Sequence, residues 1–322
     1  MRKDLNIQLY KKMYLIRVAE EQIREYYPED EMKTPMHMSM GAEAIAAGVC
    51  HALNNADQIF TTYRSHAGFL AKTADVGEFF SEMYAKDTSS VKGKGGSMHL
   101  CLPNKGFMGT SAIVSAHIPV AVGCAWANKI NKNKRIVVVF FGDGATDEGG
   151  FWESINLASL MRIPVIFVCE DNELAVHTFA KKRRGYDSIT QIIEKFHCGV
   201  IESDTTDVEE IYNLVSNAIT LVRKKPRPYF MNFKYYRYLE HVGINYDFDA
   251  GYRSKKQFQK WFKKDPVFMQ RLKLLRNGID ECSIRKIESE MSKNIVSAIE
   301  NAKKAAVSGS DQLHKGVFNE DN

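Results

Sequence analysis

The sequence predicts an α/β fold with a mostly parallel central sheet and helices on both faces. The main observation is a strand–loop–helix–strand unit between residues 135 and 178. An apolar, β-branched run at 136–141 ends at GDG (142–144), a helical pattern follows, and a second apolar run at 165–169 ends at EDN (170–172). Such units are typical of parallel sheets, and right-handed crossovers place the two strands side by side or nearly so.

The rest of the chain fits one domain spanning residues 1–322, with no internal repeat and no linker. Residues 5–27 have the apolar spacing of an amphipathic helix, with Asp4 as a candidate N-cap. Residues 283–305 predict a further helix, so the domain would have an N-terminal helix and a C-terminal helical extension. Residues from about 308 to 322 lack periodicity, and we expect a flexible tail there.

Composition excludes several classes of function. Lys and Arg total 44 against 39 Asp and Glu, and a net charge of +5 does not argue for nucleic-acid binding. No apolar run approaches the roughly 18–20 residues of a membrane span, and the charged N-terminus lacks an export signal. Six scattered cysteines without a CxxC pair fit a reducing compartment. We therefore expect a cytoplasmic protein with no membrane and no nucleic-acid partner.

Asp143 and Asn172 each lie just past the end of one predicted strand, at the edge where open α/β sheets bind ligands. Their oxygen atoms suit Mg²⁺, which usually shares its coordination with a phosphate. Gly142 and Gly144 allow close approach of a phosphate, and the helix expected after Gly144 favours an anion. GDG alone is more often only a tight turn. The asparagine 29 residues later (172 − 143), after a complete helix and strand, favours a metal–phosphate site.

The same stretch resembles the thiamine diphosphate signature. Its continuation, ATDEGGFWESINLASLMRIPVIFVCEDN, is similar to the alpha subunits of the first component of 2-oxo acid dehydrogenases, which include the pyruvate, branched-chain and acetoin enzymes. The resemblance implies the thiamine diphosphate-binding fold, with thiamine diphosphate and Mg²⁺ as cofactors. It implies that Asp143, the Asn172 side chain and the Leu174 carbonyl hold Mg²⁺. It also places Gly142, Gly144 and Ala145 at the cofactor.

Two upstream motifs extend the resemblance. HMSMGAEA (37–44) is similar to a family segment that places a histidine, here His37, over the thiazolium ring. YRSH (63–66) matches a motif whose tyrosine and arginine, here Tyr63 and Arg64, bind the diphosphate. Its histidine, His66, would then be placed to act on the substrate. Without the resemblance, a lone histidine before a helix, such as His37, is more often structural than catalytic. The YRSH segment would then fit a solvated turn equally well.

Three further segments match the family. KGKGGSMH (92–99) is similar to a loop that shapes the active-site channel, and it lacks the spacing of either nucleotide-binding glycine motif. The segment GTSAIV (109–114) implies that Ser111 and Ile113, or Val114, hold the aminopyrimidine ring. YRYLEH (236–241) matches a loop that orders over bound cofactor and contributes His241. With His37 and His66, His241 completes the candidates for substrate handling or proton transfer.

The run of four basic residues at 181–184 has two interpretations. A solvated charge run is the default. The alternative is a basic rim that attracts an anionic substrate or a partner domain.

The resemblance implies the alpha subunit of a 2-oxo acid dehydrogenase. The chain has room for only one cofactor-binding domain, so a beta subunit would complete an α₂β₂ enzyme that acts on a small 2-oxo acid. A lipoyl-bearing acyltransferase is a possible further partner. We expect the small-residue segments near 42–50 and 111–125 to form subunit contacts. The alternatives are a non-oxidative carboligase or transketolase-like enzyme, and a catalytically silent cofactor-binding subunit.

Overall fold

The structure, a computed structural model, describes residues 2–316. The strands are β1 Gln58–Thr62, β2 Phe107–Ser111, β3 Val137–Gly142, β4 Val165–Asp171, β5 Leu174–Ala175, β6 Thr178–Phe179, β7 Gly199–Ser203 and β8 Tyr229–Lys234. The α-helices are α1 Arg2–Tyr26, α2 Glu43–Ala52, α3 His66–Thr73, α4 Val76–Met83, α5 His117–Ile130, α6 Gly149–Leu160, α7 Ile189–Ile193, α8 Val208–Lys224, α9 Lys255–Phe262, α10 Pro266–Arg276 and α11 Glu281–Lys304. Short 3-10 helices cover Tyr27–Glu29, Gly96–Met98, Pro103–Lys105, Asp143–Asp147, Ala180–Lys182, Phe248–Ala250 and Ser310–Gln312.

Six strands form the central sheet in the order β2-β1-β3-β4-β8-β7, and every pairing is parallel. The two strands of the predicted unit are neighbours, and Gly142 pairs with Glu170 at their carboxyl ends. Parallel strands all end at the same edge, so the loops after β1, β2, β3, β4 and β8 meet there. The predicted α/β fold with a parallel sheet is confirmed. The short strands β5 and β6 form a separate antiparallel hairpin.

Helices cover both faces of the sheet, and the central strands are therefore buried on both sides. In β3, Val138 and Phe140 belong to a core shared with α1, α2 and α8. Val137, Val139 and Phe141 belong to a second core, shared with α5, α6 and α7. The continuous apolar run that predicted a buried strand therefore supplies both cores.

Two N-terminal expectations need correction. Helix α1 begins at Arg2, so Asp4 lies in its first turn and is not the N-cap. Helix α2 has all of residues 43–50 buried and packs within the chain, mainly against α8. The expectation that 42–50 forms subunit contacts is therefore wrong, since its small residues serve an internal helix–helix contact.

The segment 111–125 is only partly helical. Its start is the end of strand β2, and α5 begins at His117. Unlike α2, α5 exposes a stripe of apolar and small residues at helical spacing: Pro119, Val120, Gly123, Trp126, Ala127 and Ile130. The exposed fractions of Val120 and Ile130 are 59% and 64%. This part of the small-residue pattern thus lies on the surface.

The C-terminal segment up to residue 316 contacts the glycine-rich loop. Lys94 Nζ donates to the Gln312 and Lys315 carbonyls, at 3.3 and 2.7 Å. Residues 317–322 of the predicted tail lie outside the described residues, and its flexibility stays a prediction.

Within residues 2–316, no helix is both long enough and apolar enough to span a membrane. All six cysteines are free thiols.

Candidate active site

A cavity of about 220 Å³ opens at the carboxyl edge of the sheet. Its walls come from the ends of β1, β2, β3, β4 and β8 and from the loops that follow them. They comprise Thr62, Tyr63, Arg64, Ser111, Ile113, Val114, Ser115, Gly142, Gly144, Ala145, Asp147, Glu148, Glu170, Asn172, Leu174, Ala175, Val176, Tyr235, Arg237 and His241. The structure thus brings together most of the residues singled out in the sequence. The exceptions are Asp143, His37 and His66, which lie behind the walls.

Asp143 is fully buried at the base of the 3-10 turn that follows β3. Its Oδ2 accepts a hydrogen bond from Arg183 at 2.6 Å, whereas its Oδ1 has no hydrogen-bond partner among residues 2–316. Burial raises the pKa of this carboxyl to about 6, with the nearby Asp171 adding to the shift and Arg183 opposing it. A buried carboxylate oxygen without a partner is costly unless a cation completes it.

The turn after β4 presents two more oxygens. Asn172 Oδ1 accepts from the Leu174 amide at 3.0 Å, and its Nδ2 donates to Tyr235 at 3.0 Å, which fixes the side chain. Glu173, between them, has φ +62° and donates its amide to Asp171 Oδ1 at 2.9 Å. With Asp143, the Asn172 and Leu174 carbonyls form a set of hard oxygen donors that suits Mg²⁺.

The helix expected directly after Gly144 begins later, at Gly149, because a 3-10 turn covers Asp143–Asp147. Gly142 still leaves room for a ligand, whereas Gly144 packs against Ala175. Gly142 lines the cavity, and a Cβ atom placed on it would meet no atom of the described residues within 4 Å. A phosphate can therefore approach this turn closely, but it would meet the 3-10 turn and not the start of α6.

Arg64 links the loops on the opposite wall. Its guanidinium donates to the Met38 carbonyl at 2.7 Å and to the His241 carbonyl at 3.0 Å. It also lies 3.3 Å from His241 Nδ1. One arginine thus joins the His37 segment to the 237–254 loop and keeps a positive charge at the cavity wall.

His37 and His241 form an aromatic group with Tyr63. The His37 ring centroid lies 4.6 Å from that of Tyr63 and 5.5 Å from that of His241. Burial, with the charge of Arg64 as the next cause, lowers the pKa of each histidine to about 3. Both imidazoles are therefore neutral at physiological pH, where each offers one donor and one acceptor nitrogen.

The comparisons with known proteins agree with this geometry. The sequence model of the family described as dehydrogenase E1 component matches residues 10–309. The chain belongs to this family.

Named relatives extend over almost the whole chain. A pyruvate dehydrogenase E1 component subunit alpha from Rickettsia bellii is 30% identical over 318 residues, 98% of this chain and 96% of the relative. The alpha subunit of an acetoin:2,6-dichlorophenolindophenol oxidoreductase from Bacillus subtilis is 30% identical over 292 residues, 90% and 86% of the two chains. The pyruvate dehydrogenase E1 component subunit alpha of Zymomonas mobilis is 28% identical over 314 residues, which are 97% of this chain and 88% of the relative.

These findings confirm the predicted family, the alpha subunits of thiamine diphosphate-dependent 2-oxo acid dehydrogenases. They also confirm that the chain is part of an enzyme. The roles of individual residues remain predictions, to be weighed against the geometry.

His66 occupies a different place from the other two histidines in this dehydrogenase subunit. It is fully buried, with Nδ1 2.9 Å from Glu20 and Nε2 2.7 Å from the Ser97 hydroxyl. The order Glu–His–Ser resembles a hydrolase triad, but all three residues have 0% exposure, whereas the serine of a hydrolase triad must be accessible to its substrate. Glu20 also accepts from the Ser39 amide at 2.6 Å. The geometry favours a positioning role for His66, and its action on substrate stays a prediction.

The glycine-rich loop of this E1 chain folds around an internal anion. The buried Glu82 carboxylate accepts from the amides of Gly93, Gly95 and Gly96 at 3.0, 2.6 and 2.7 Å. Ser97, which follows, holds His66. Glu82 therefore satisfies three backbone amides of the loop from within the chain.

We predict that Glu82→Gln lowers the free energy of unfolding by about 3 kcal/mol, because an amide replaces the charge that accepts three backbone hydrogen bonds. Urea denaturation measures the change, and Glu153→Gln at an exposed position is the control. A loss below about 0.5 kcal/mol would show that the loop does not depend on this carboxylate.

The basic run divides into two halves. Lys181 and Lys182 are exposed, as the default interpretation expected. Arg183 and Arg184 turn inward onto Asp143, at 2.6 and 3.7 Å. Solvation is therefore the wrong interpretation for the two arginines, which lie at the predicted metal site.

Ser111 and Ile113 border the cavity on its open side. Ser111 Oγ accepts from the Ile113 amide at 3.1 Å, which fixes the turn after β2. Ile113 is 72% exposed and Val114 43% exposed. Two large, exposed apolar side chains at the rim of the cavity indicate a wall that the described part of this chain does not complete.

Sequence analysis assigned no role to Glu170 or Arg237, although both line the cavity. Burial raises the pKa of Glu170 to about 7, with Arg64 opposing the shift. Arg237 donates to Tyr252 at 2.9 Å and lies 3.4 Å from His241 Nδ1, so it supports the 237–254 loop. Glu170 is the penultimate residue of β4, and Arg237 follows the end of β8 by three residues (237 − 234). Their place near the carboxyl ends of two strands was the signal that could have identified them.

Strained backbone surrounds the same cavity. Ser115, Glu173 and Val176 have φ of +63°, +62° and +54°, although none is glycine. Such conformations cost about 1–3 kcal/mol each and cluster at functional sites. The surrounding hydrogen bonds must hold these loops in place.

Proposed function

We propose that this chain binds thiamine diphosphate and Mg²⁺ in the cavity. With a beta subunit, it would catalyse oxidative decarboxylation of a small 2-oxo acid, with acyl transfer to a lipoyl carrier. The observation that carries the proposal is the buried Oδ1 of Asp143, which has no partner among the residues that the structure describes and lies at the strand end beside the turn of Asn172 and Leu174. The names of several relatives make pyruvate the first substrate to test.

Each group has a role in this proposal. Asp143, Asn172 and the Leu174 carbonyl would hold Mg²⁺, and the diphosphate and water would complete its octahedron. Tyr63 and Arg64 would bind the diphosphate, since a guanidinium matches phosphate oxygens in pairs.

Bound thiamine diphosphate would supply the nucleophilic carbon and the electron sink for loss of CO₂. The neutral His37 and His241 would donate a hydrogen bond to the substrate or accept a proton from it. His66 would act without lining the cavity: it would fix Ser97 directly and the segment of Ser39 through Glu20. All six cysteines are free, which supports a reducing compartment such as the cytoplasm.

A beta subunit would cover the open side. The exposed stripe on α5 adjoins exposed apolar residues on and after α6, including Leu160 at 71% and Met161 at 37%. Apolar patches of this kind mark protein contacts. We infer that α5 contacts a partner subunit and that α2 does not.

We predict that Val120→Asp prevents assembly with the beta subunit while the chain itself stays folded, because a charge would be buried in the contact. Size-exclusion chromatography with light scattering of the co-expressed subunits measures this. Leu221→Asp, at a 51% exposed position on α8, is the matched control. Assembly of the Val120→Asp variant at wild-type yield would contradict the proposed contact.

The reaction is tested by co-purifying the chain with its beta subunit and supplying thiamine diphosphate, Mg²⁺ and a panel of 2-oxo acids. We expect an artificial electron acceptor or a lipoyl domain to be reduced as CO₂ is released. Release of CO₂ with carbon–carbon bond formation, but no reduction, would indicate a carboligase. No turnover with any 2-oxo acid, despite cofactor binding, would indicate a silent subunit.

A further inference from the structure

Arg183 makes the closest contact to the predicted metal ligand. Its Nη2 donates to Asp143 Oδ2 at 2.6 Å, and the other oxygen of that carboxylate has no partner within the described part of the chain. Its Nη1 donates to Asp147, and its Nε donates to the Thr178 carbonyl at 3.1 Å. The planar guanidinium therefore joins both carboxylates of the GDGATD turn to the hairpin of β5 and β6.

Arg184 supports the same turn through other atoms. Its Nη2 donates to the Asp143 carbonyl at 3.2 Å and to the Thr146 hydroxyl at 3.3 Å. The side chains of Arg183 and Arg184 are 11% and 12% exposed. The two arginines thus hold the side chain and the backbone of one buried ligand residue.

We propose that Arg183 is a positioning residue of the metal site. By binding Oδ2, it turns Oδ1 of Asp143 toward the divalent cation, and the same contact docks residues 176–184 beside the cavity. The inference rests on the proposed function, because it requires that Asp143 ligates a metal. Partners of this kind orient a metal ligand, and their loss typically lowers metal affinity by about 10–100-fold.

The same contacts allow an alternative in which Arg183 competes with the cation for Asp143. If Arg183 occupied the position of the cation, the two would compete for Asp143, and removing Arg183 would strengthen metal binding. If Arg183 positions Asp143, its removal weakens metal binding. The sign of the change in affinity therefore decides between the two.

The test uses the full chain co-purified with its beta subunit. Mg²⁺ affinity at saturating thiamine diphosphate is measured by calorimetry for wild type, Arg183→Gln, Arg183→Lys and the control Lys182→Gln. We expect Arg183→Gln to weaken Mg²⁺ binding by about 10–100-fold. Arg183→Lys should recover part of the loss, because lysine keeps the positive charge but lacks the planar guanidinium that donates to two carboxylates at once. Lys182→Gln should bind as wild type does, since Lys182 is exposed.

Hydrogen exchange gives a second readout that does not depend on turnover. Residues 176–184 should exchange faster in Arg183→Gln without cofactor, whereas the control should match wild type. Unchanged Mg²⁺ affinity and exchange in a folded Arg183→Gln complex would overturn the inference, as would tighter binding. A wild-type complex that binds neither Mg²⁺ nor thiamine diphosphate would overturn the proposed function as well.

Discussion

Asp143→Asn should abolish Mg²⁺-dependent binding of thiamine diphosphate by this subunit, with a loss in affinity of more than about 100-fold. The substitution keeps the shape of the side chain but removes its charge. The oxygen left without a partner would then offer the cation only an amide dipole, in a site where Arg183 and Arg184 stay positively charged nearby. Equilibrium binding of the cofactor to the assembled enzyme, with and without Mg²⁺, measures the effect.

Asp187→Asn is the matched control, because Asp187 is an exposed aspartate close to the inward-facing arginines in sequence. It should bind the cofactor as the wild type does. Asp143→Asn with wild-type affinity would contradict the assignment of Asp143 as a metal ligand.

Arg64→Met should weaken thiamine diphosphate binding by at least about 100-fold. The variant loses the two charge-assisted bonds to the Met38 and His241 carbonyls, and with them a predicted diphosphate contact. Hydrogen bonds to charged groups contribute about 1.5–3 kcal/mol each, and about 1.4 kcal/mol is a factor of ten in affinity. Cofactor affinity and hydrogen exchange of the 237–254 loop are the two measurements.

Arg64→Lys should lie between wild type and Arg64→Met, since lysine keeps the charge but cannot reach both carbonyls in fork geometry. Arg276→Met, at an exposed position on α10, is the control for loss of a surface arginine. If Arg64→Met left both the cofactor affinity and the exchange of the loop unchanged, Arg64 would not be the link between the two walls.

The place of Asp143 and Asn172 at one edge of the sheet could be predicted, because the sequence signals that mark the ends of their two strands are local. GDG and EDN follow two apolar runs, and parallel crossovers bring the ends of such strands to one edge. The fold follows from the same alternation of strands and helices. The start of α6 was predicted wrongly, because the 3-10 turn over Asp143–Asp147 depends on tertiary contacts with the two inward-facing arginines.

The residues that sequence reasoning missed depend on contacts between distant segments. Glu20 lies on a helix whose pattern indicated packing alone, yet it meets His66, 46 residues later, inside the core. Glu82 lies on a short amphipathic helix, and nothing nearby in sequence shows that the glycine loop closes on it. Lys181 and Arg183 have the same charge, and only the 3-10 turn of Ala180–Lys182 that follows the hairpin decides which of them faces Asp143.

We propose that this chain provides one half of a thiamine diphosphate site and that a beta subunit provides the other. The most direct test is release of CO₂ from a 2-oxo acid, beginning with pyruvate, in the presence of thiamine diphosphate and Mg²⁺. The chain alone, the beta subunit alone and the two together are compared. We expect CO₂ release from the combination only. Substantial release by this chain alone would contradict the claim.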